Sequence, residues 1–256
     1  MKKVAIITGA SSGIGKELFL SIPDWIEIDE VWVMARSRKN LELLQESTDK
    51  KVVVIDGDLT DNSVIGRLIG LLEAEKPLVT LLINSSGYGK FGKTCDVSLS
   101  DTLGMVDLNC RALTAVTHAV LPYMDRGSHV MQIASIAGFT AIPYLNVYAA
   151  SKAYVLSFAR SLKSEYKKQG INVLAVCPFW TKTNFFARAK NSEDEIIKKY
   201  FVMYDPEKVA KRAWRDLKRK REVSSYGGLN KILVFLMKIS PNPMKMWIWK
   251  RVQKLD

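Results

Sequence analysis
A chain of 256 residues, 48% of them hydrophobic and 25% charged, has the length for one large α/β domain with a full core. That balance excludes a disordered, fibrous or low-complexity protein. The net charge of +12 is uneven, because residues 207–256 hold 14 Lys and Arg against 4 Asp and Glu, so the basic excess gathers toward the C-terminus.

The first apolar run, residues 4–7, is shorter than the core of a signal peptide, so no export signal is expected. It leads into Thr8-Gly9-Ala10-Ser11-Ser12-Gly13-Ile14-Gly15, which closes a strand and opens a helix over residues 14–22. Free backbone N–H groups and the helix dipole at such a junction favour a pyrophosphate, and the glycines let the backbone approach it. The spacing is GxxxGxG and not the GxGxxG of the general dinucleotide fingerprint, so the strand-turn-helix context carries the reading. A glycine turn that only tightens strand-helix packing is the alternative.

The second run, 31–34, ends in Ala35-Arg36-Ser37-Arg38, where NAD-selective sheets place a carboxylate for the ribose 2′-hydroxyl. Arg36 suits a 2′-phosphate instead, which favours NADP(H) over NAD(H), unless Arg36 and Arg38 are solvated charges at a helix start. After the third run, 52–55, Asp58 and Leu59 reach the same sheet edge and can meet the adenine ring, with a helix cap as the alternative role. Further runs at 79–83, 130–134 and 171–176 alternate with helical spacing at 41–44, 64–72, 103–121 and 147–166. Strands apolar on both faces, alternating with helices, predict a Rossmann-like, doubly wound parallel sheet with helices on both faces and ligands at the carboxyl ends of its strands. A single domain over residues 1–256 is expected.

Tyr148 and Lys152 stand at i and i+4, hence on one helix face, where the ammonium and an oxidised nicotinamide would both draw the phenol toward a useful range for proton transfer. A surface Tyr-Lys pair has the same spacing. Ser135 follows the fifth strand, thirteen residues before Tyr148, and Asn109 lies in the long helix ahead of that strand. The glycine loop, Asn109, Ser135, Tyr148 and Lys152, in this order and spacing, resemble the short-chain dehydrogenase/reductase family over residues 3–183.

That resemblance implies an oxidoreductase in which Tyr148 exchanges a proton with the carbonyl or alcohol oxygen and Ser135 hydrogen-bonds the same oxygen. Lys152 would grip the nicotinamide ribose and bias Tyr148, and Asn109 would hold a water in a proton relay. By the same resemblance Gly9, Ser11, Ser12, Gly13, Ile14 and Gly15 form the phosphate loop. Asn84 with Gly87 forms the turn after the fourth strand, and Pro178, Thr181 and Thr183 the loop under the nicotinamide. Homodimers or homotetramers through the long helices are typical of the family. Two departures stand out: Asn84-Ser85-Ser86-Gly87 replaces the family's NNAG, and Pro178-Phe179-Trp180 replaces its Pro-Gly, placing bulky rings near the reactive end. The rings point to a small hydrophobic carbonyl or alcohol substrate, with 3-oxoacyl, steroid-like and other lipophilic ketones all open.

Residues 184–205, with Phe185, Phe186, Tyr200, Phe201 and Tyr204, read as a substrate flap or equally as a packed helical hairpin. Residues 228–256 read as a basic amphipathic helical extension whose Trp, Met and Lys mixture suits peripheral contact with an anionic membrane. Its apolar face could instead pack on the domain, line the substrate pocket or meet another subunit. Nucleic acid is not expected, since no recognition motif accompanies the charge. Cys95, Cys110 and Cys177 contain no CxxC pair and fit a reducing, cytoplasmic setting without a metal site, and His118 and His129 receive no role. A cofactor-sensing binding protein on the same fold, docking through its basic C-terminus, is the second functional expectation, although a sensor needs no proton donor beside a nicotinamide.

Overall fold
In the computed structural model, which describes residues 1–189, 196–197, 199–200 and 202–255, the six apolar runs become strands β1 (Lys3–Thr8), β2 (Glu30–Ala35), β3 (Lys51–Asp56), β4 (Leu78–Asn84), β5 (His129–Ile133) and β6 (Asn172–Val176). With β7 (Val223–Ser224) they form one parallel sheet in the order β3-β2-β1-β4-β5-β6-β7. The predicted doubly wound arrangement is therefore the one observed. Continuous Val, Ile and Leu runs are required because both sheet faces are covered. β1 sends Val4 and Ile6 into one core and Ala5 and Ile7 into the other, all fully buried.

Helices α3 (Asn62–Glu75), α5 (Leu113–Val120) and α6 (Asn146–Glu165) cover the first face, and α1 (Gly13–Leu20), α2 (Arg38–Gln45) and α8 (Pro206–Lys218) cover the second. The order of strands reverses between β1 and β4, and ligands in such sheets bind at the carboxyl edge of that switch point.

The predicted helix over 103–121 is not continuous. α4 (Leu99–Val106) passes through a π-helical turn, Asp107–Ala112, before α5 resumes, and Asn109 sits in that turn. α8 and β7 have no counterpart in the sequence expectations. α8 carries a buried stripe of Val209, Ala213, Trp214 and Leu217 between its Lys and Arg residues, a helical periodicity present in the sequence. β7 has no such signal: two residues pair with β6, and Cys177 N donates to Ser224 O at 2.7 Å.

Within 184–205, α7 (Phe185–Ala189) packs on the domain through Phe91 N to Ala189 O at 2.9 Å, and Tyr204 bridges to Thr181. Phe201 and residues 190–195 and 198 of that segment lie outside the described residues. The C-terminal extension forms α9 (Gly228–Ile239) and α10 (Asn242–Gln253).

At the β1–α1 turn, a Cβ on Gly15 would lie 2.4 Å from Gly9 O, so only hydrogen fits between helix and loop. Gly15→Ala is expected to cost about 1–3 kcal/mol through the backbone shift it forces, read as a lower urea midpoint with an unchanged m-value.

Candidate active site
The carboxyl ends of β1, β2, β4, β5 and β6 open into a cavity of about 790 Å³ that runs from the glycine turn to α9 and α10. Gly9, Ser12, Gly13, Ile14, Arg36, Asp58 and Leu59 line one end, where Thr183 lies against Gly13, and Ser135, Tyr148, Lys152, Pro178 and Thr181 line the other, with Gly87 between them. Four expected residues stand outside the lining. Ser11 and Gly15 belong to the turn without facing the cavity. Asn84 is buried, donating from Nδ2 to Thr117 Oγ1 at 2.9 Å, and Asn109 lies behind Gly87. Asn84 thus ties β4 to α5.

At the glycine end, Gly9 takes φ +67° and a Cβ there would sit 2.7 Å from Ser86 N, so β1 and the β4 turn meet backbone to backbone. Ser12 begins α1 without a side-chain cap, leaving first-turn amides free beside the cavity. Such a terminus is built for an anion.

Asp61, not Asp58, caps α3, accepting from Ser63 N at 2.8 Å. Burial raises the Asp58 carboxyl, yet bonds from the Thr60 amide and hydroxyl outweigh it and hold the group below its ordinary range. Arg38 is occupied with Glu42 at 2.8 Å and Asp56 at 3.4 Å. Arg36 makes no ion pair among the described residues and lines the cavity. Arg188 of α7, which the sequence reading missed, stacks 3.5 Å from the Tyr88 ring centroid. Burial, then the Arg36 charge, lowers its pKa. Two guanidiniums close enough to repel, beside free helix amides, fit the phosphates of a dinucleotide.

At the other end, Ser135 leaves the sheet after β5, and its Oγ accepts from Ala137 N at 3.1 Å while its hydroxyl hydrogen-bonds the Tyr148 phenol. Gly138, in the short turn Ile136–Phe139, is a second residue that the sequence reading missed. A Cβ there would be 2.6 Å from Lys152 O, so glycine alone lets this turn seat on α6. Gly89 plays the same part for Tyr148, whose ring would meet its Cβ at 2.7 Å.

Lys152 is buried and donates to Ile133 O at 2.7 Å, with Nζ 5.8 Å from the Tyr148 ring centroid. Asn109 Oδ1 accepts from Tyr88 N at 3.0 Å, and its Nδ2 donates to Tyr88 O at 2.8 Å and Ser151 Oγ at 2.9 Å. The side chain expected to serve a water relay is therefore engaged by protein groups.

Burial pushes the Lys152 ammonium down to about 8. Burial also pushes the Tyr148 phenol up to about 12, against an opposing hydrogen bond from Ser135. The expected lowering of Tyr148 by Lys152 is not what this arrangement yields, because desolvation of the phenolate is the larger effect. At neutral pH Tyr148 is a protonated donor. Cys177, buried beside it, is likewise pushed to about 12 by burial and stays a thiol.

Aromatic rings wall this end: Phe185 lies 5.2 Å from Tyr148, and Trp180 lies 5.7 Å from Phe186 and 5.3 Å from Tyr200. α10 closes it, with Trp249 Nε1 donating to Pro143 O at 2.9 Å and Gln253 bonded twice to the Lys199 backbone.

The family model described as short chain dehydrogenase matches residues 3–194. The chain is 32% identical over 242 residues to a glycine betaine reductase of Emericella nidulans, covering 91% of this chain but only 18% of that protein. Among solved structures, a short-chain dehydrogenase from Sphingobium yanoikuyae in complex with NADPH superposes with a TM-score of 0.76 at 23% identity, covering 94% of this chain and 97% of that one. A short chain dehydrogenase/reductase from Burkholderia phymatum in complex with NAD gives a TM-score of 0.76 at 20% identity, covering 92% of each.

The buried ammonium has a consequence for stability. Between pH 8 and 10.5 the folded protein has already released the Lys152 proton that the unfolded chain still holds, so stability rises with pH across that window. Lys152→Met is expected to remove that rise and to be the more stable protein at pH 7, by up to a few kcal/mol. Urea unfolding of both proteins at neutral and alkaline pH measures the difference.

Proposed function
This chain belongs to the short-chain dehydrogenase family of oxidoreductases, and we propose that it reduces a lipophilic ketone to a secondary alcohol with NADPH, the chemistry being reversible. The observation that carries this reading is the meeting of Ser135, Tyr148 and Lys152 at one wall of a cavity whose neighbouring walls are the Trp180 and Phe185 rings. A bound nicotinamide supplies or accepts the hydride. The rest falls to the chain's own side chains. Tyr148, protonated at neutral pH, donates its proton to the carbonyl oxygen, and Ser135 donates a hydrogen bond to the same oxygen. The charged Lys152, anchored on Ile133 O, favours the phenolate left behind.

Support for NADP(H) over NAD(H) comes from the second strand. β2 ends at Ala35 without a carboxylate, Arg36 lines the cavity without an ion pair among the described residues, and Arg188 adds a second guanidinium. The name of the fungal relative refers to a small zwitterion, whereas Leu145, Trp180, Phe185 and Trp249 favour an apolar substrate here. A cofactor sensor would gain nothing from keeping Lys152 buried at the expense of stability.

Following NADPH absorbance against a panel of steroid, 3-oxoacyl and aromatic ketones tests the reading. Tyr148→Phe is expected to lower kcat by about 10²–10⁴ while NADPH still binds. Failure of every ketone with intact NADPH binding would sink it. In parallel, Arg36→Ala is expected to raise the KM for NADPH by about 10–100-fold, the worth of a charged hydrogen bond, and to leave that for NADH nearly unchanged.

A further inference from the structure
The outward face of the C-terminal helices is apolar and has no partner among the described residues. Leu229, Ile232, Phe235 and Ile239 recur at helical spacing on α9, and Met244 and Trp247 continue the face on α10. Phe235 is 61% exposed, Ile239 63% and Trp247 61%, too much for residues that merely edge a core. Residues 228–255 also hold six Lys and Arg and no Asp or Glu. Lys231 and Lys238 flank the apolar arc of α9, and Arg251 lies 5.7 Å from the Trp247 ring centroid, so cations border the apolar surface.

The same helices also line the cavity. Leu233 and Met237 of α9 and Trp249 of α10 line it from the inner side, while the half-exposed Leu236, Met244 and Ile248 belong to both the cavity wall and the outer face. The apolar surface is therefore continuous from solvent to the cavity beside Tyr148.

We propose that α9 and α10 dock on an anionic lipid bilayer, lying in its interface, and admit a lipophilic substrate from the membrane between them. Three observations favour lipid over a second copy of this chain. A twofold contact through this face would bring the exposed Lys231, Lys238 and Arg251 of one copy toward those of another, whereas anionic headgroups neutralise them. Trp and Lys around an apolar face match the layered polarity of an interface. No helix among the described residues is long and apolar enough to cross a membrane, so the hairpin rests on the surface. Docking stands without any assumption about catalysis; delivery of substrate rests on the ketone reading above.

Flotation of the full chain, without substrate, with vesicles of phosphatidylcholine containing phosphatidylglycerol measures the docking. The wild type is expected to float, less so in high salt or with phosphatidylcholine alone. The triple variant Phe235→Ser, Ile239→Ser, Trp247→Ser is expected to lose at least about tenfold in partitioning. None of these three residues lines the cavity, so turnover of a water-soluble ketone should be unchanged, which also shows that the variant is folded. Lys231→Glu with Lys238→Glu tests the charge independently. Wild type left in the supernatant, or a variant whose only change is a smaller oligomer by light scattering, overturns the proposal, the latter assigning the face to contact between copies. Flotation without turnover of any ketone would leave docking standing and remove the substrate reading alone.

Discussion
Lys152 carries an ammonium into the protein interior, and the elements around it are arranged to keep it there. Its proton is held by Ile133 O at the end of β5, while the backbone of its own helix turn presses on Gly138 of the following loop. A Cβ on Gly87, at the end of β4, would lie 3.3 Å from the same Nζ. The buried ammonium thus ties α6 to β5, while Gly87, whose Cβ would lie 2.8 Å from Asn109 Oδ1, and Gly138, against the Lys152 backbone, leave no room for larger side chains beside it. Burying a cation costs stability, and the cost is smallest when the group is hydrogen-bonded and loses some basicity, as it does here. The neighbouring Tyr148 is desolvated in the opposite sense and stays protonated. Burial thus drives the two proton affinities apart, and groups separated in this way take distinct roles in proton transfer.

The π-turn at Asp107–Ala112 belongs to the same arrangement. It interrupts the α4–α5 helix and sets Asn109 against Tyr88 and Ser151, the residue next to Lys152. Insertions of this kind concentrate at functional sites because they re-aim a side chain that a regular helix would point elsewhere. Here the re-aimed amide satisfies the Tyr88 backbone as the chain leaves β4, and so supports the loop that carries Gly87 and Gly89.

Outside that centre, polarity changes along a single direction. The glycine turn and the guanidiniums of Arg36 and Arg188 make one end of the cavity an anion site, and aromatic rings make the other end apolar. The C-terminal helices extend the apolar end to the protein surface, and Trp249 and Gln253 anchor them to the loops they cover.

Much of this was legible in the sequence. Continuous β-branched runs announced strands buried on both faces, and the glycine turn, Ser135 and the Tyr148–Lys152 spacing announced the two ends of the cavity, because backbone clearance and helical period are local properties. Four matters were settled only by tertiary structure. Gly138 and Gly89 look like ordinary loop glycines until the chain folds back on α6, and β7 has no hydrophobic signal of its own because β6 supplies its partner. Arg188 meets Arg36 only across the cavity, some 150 positions away in sequence. The proton affinities of Tyr148 and Lys152 could not be read from their spacing, since neighbouring charge is a local matter but desolvation depends on everything packed around the pair.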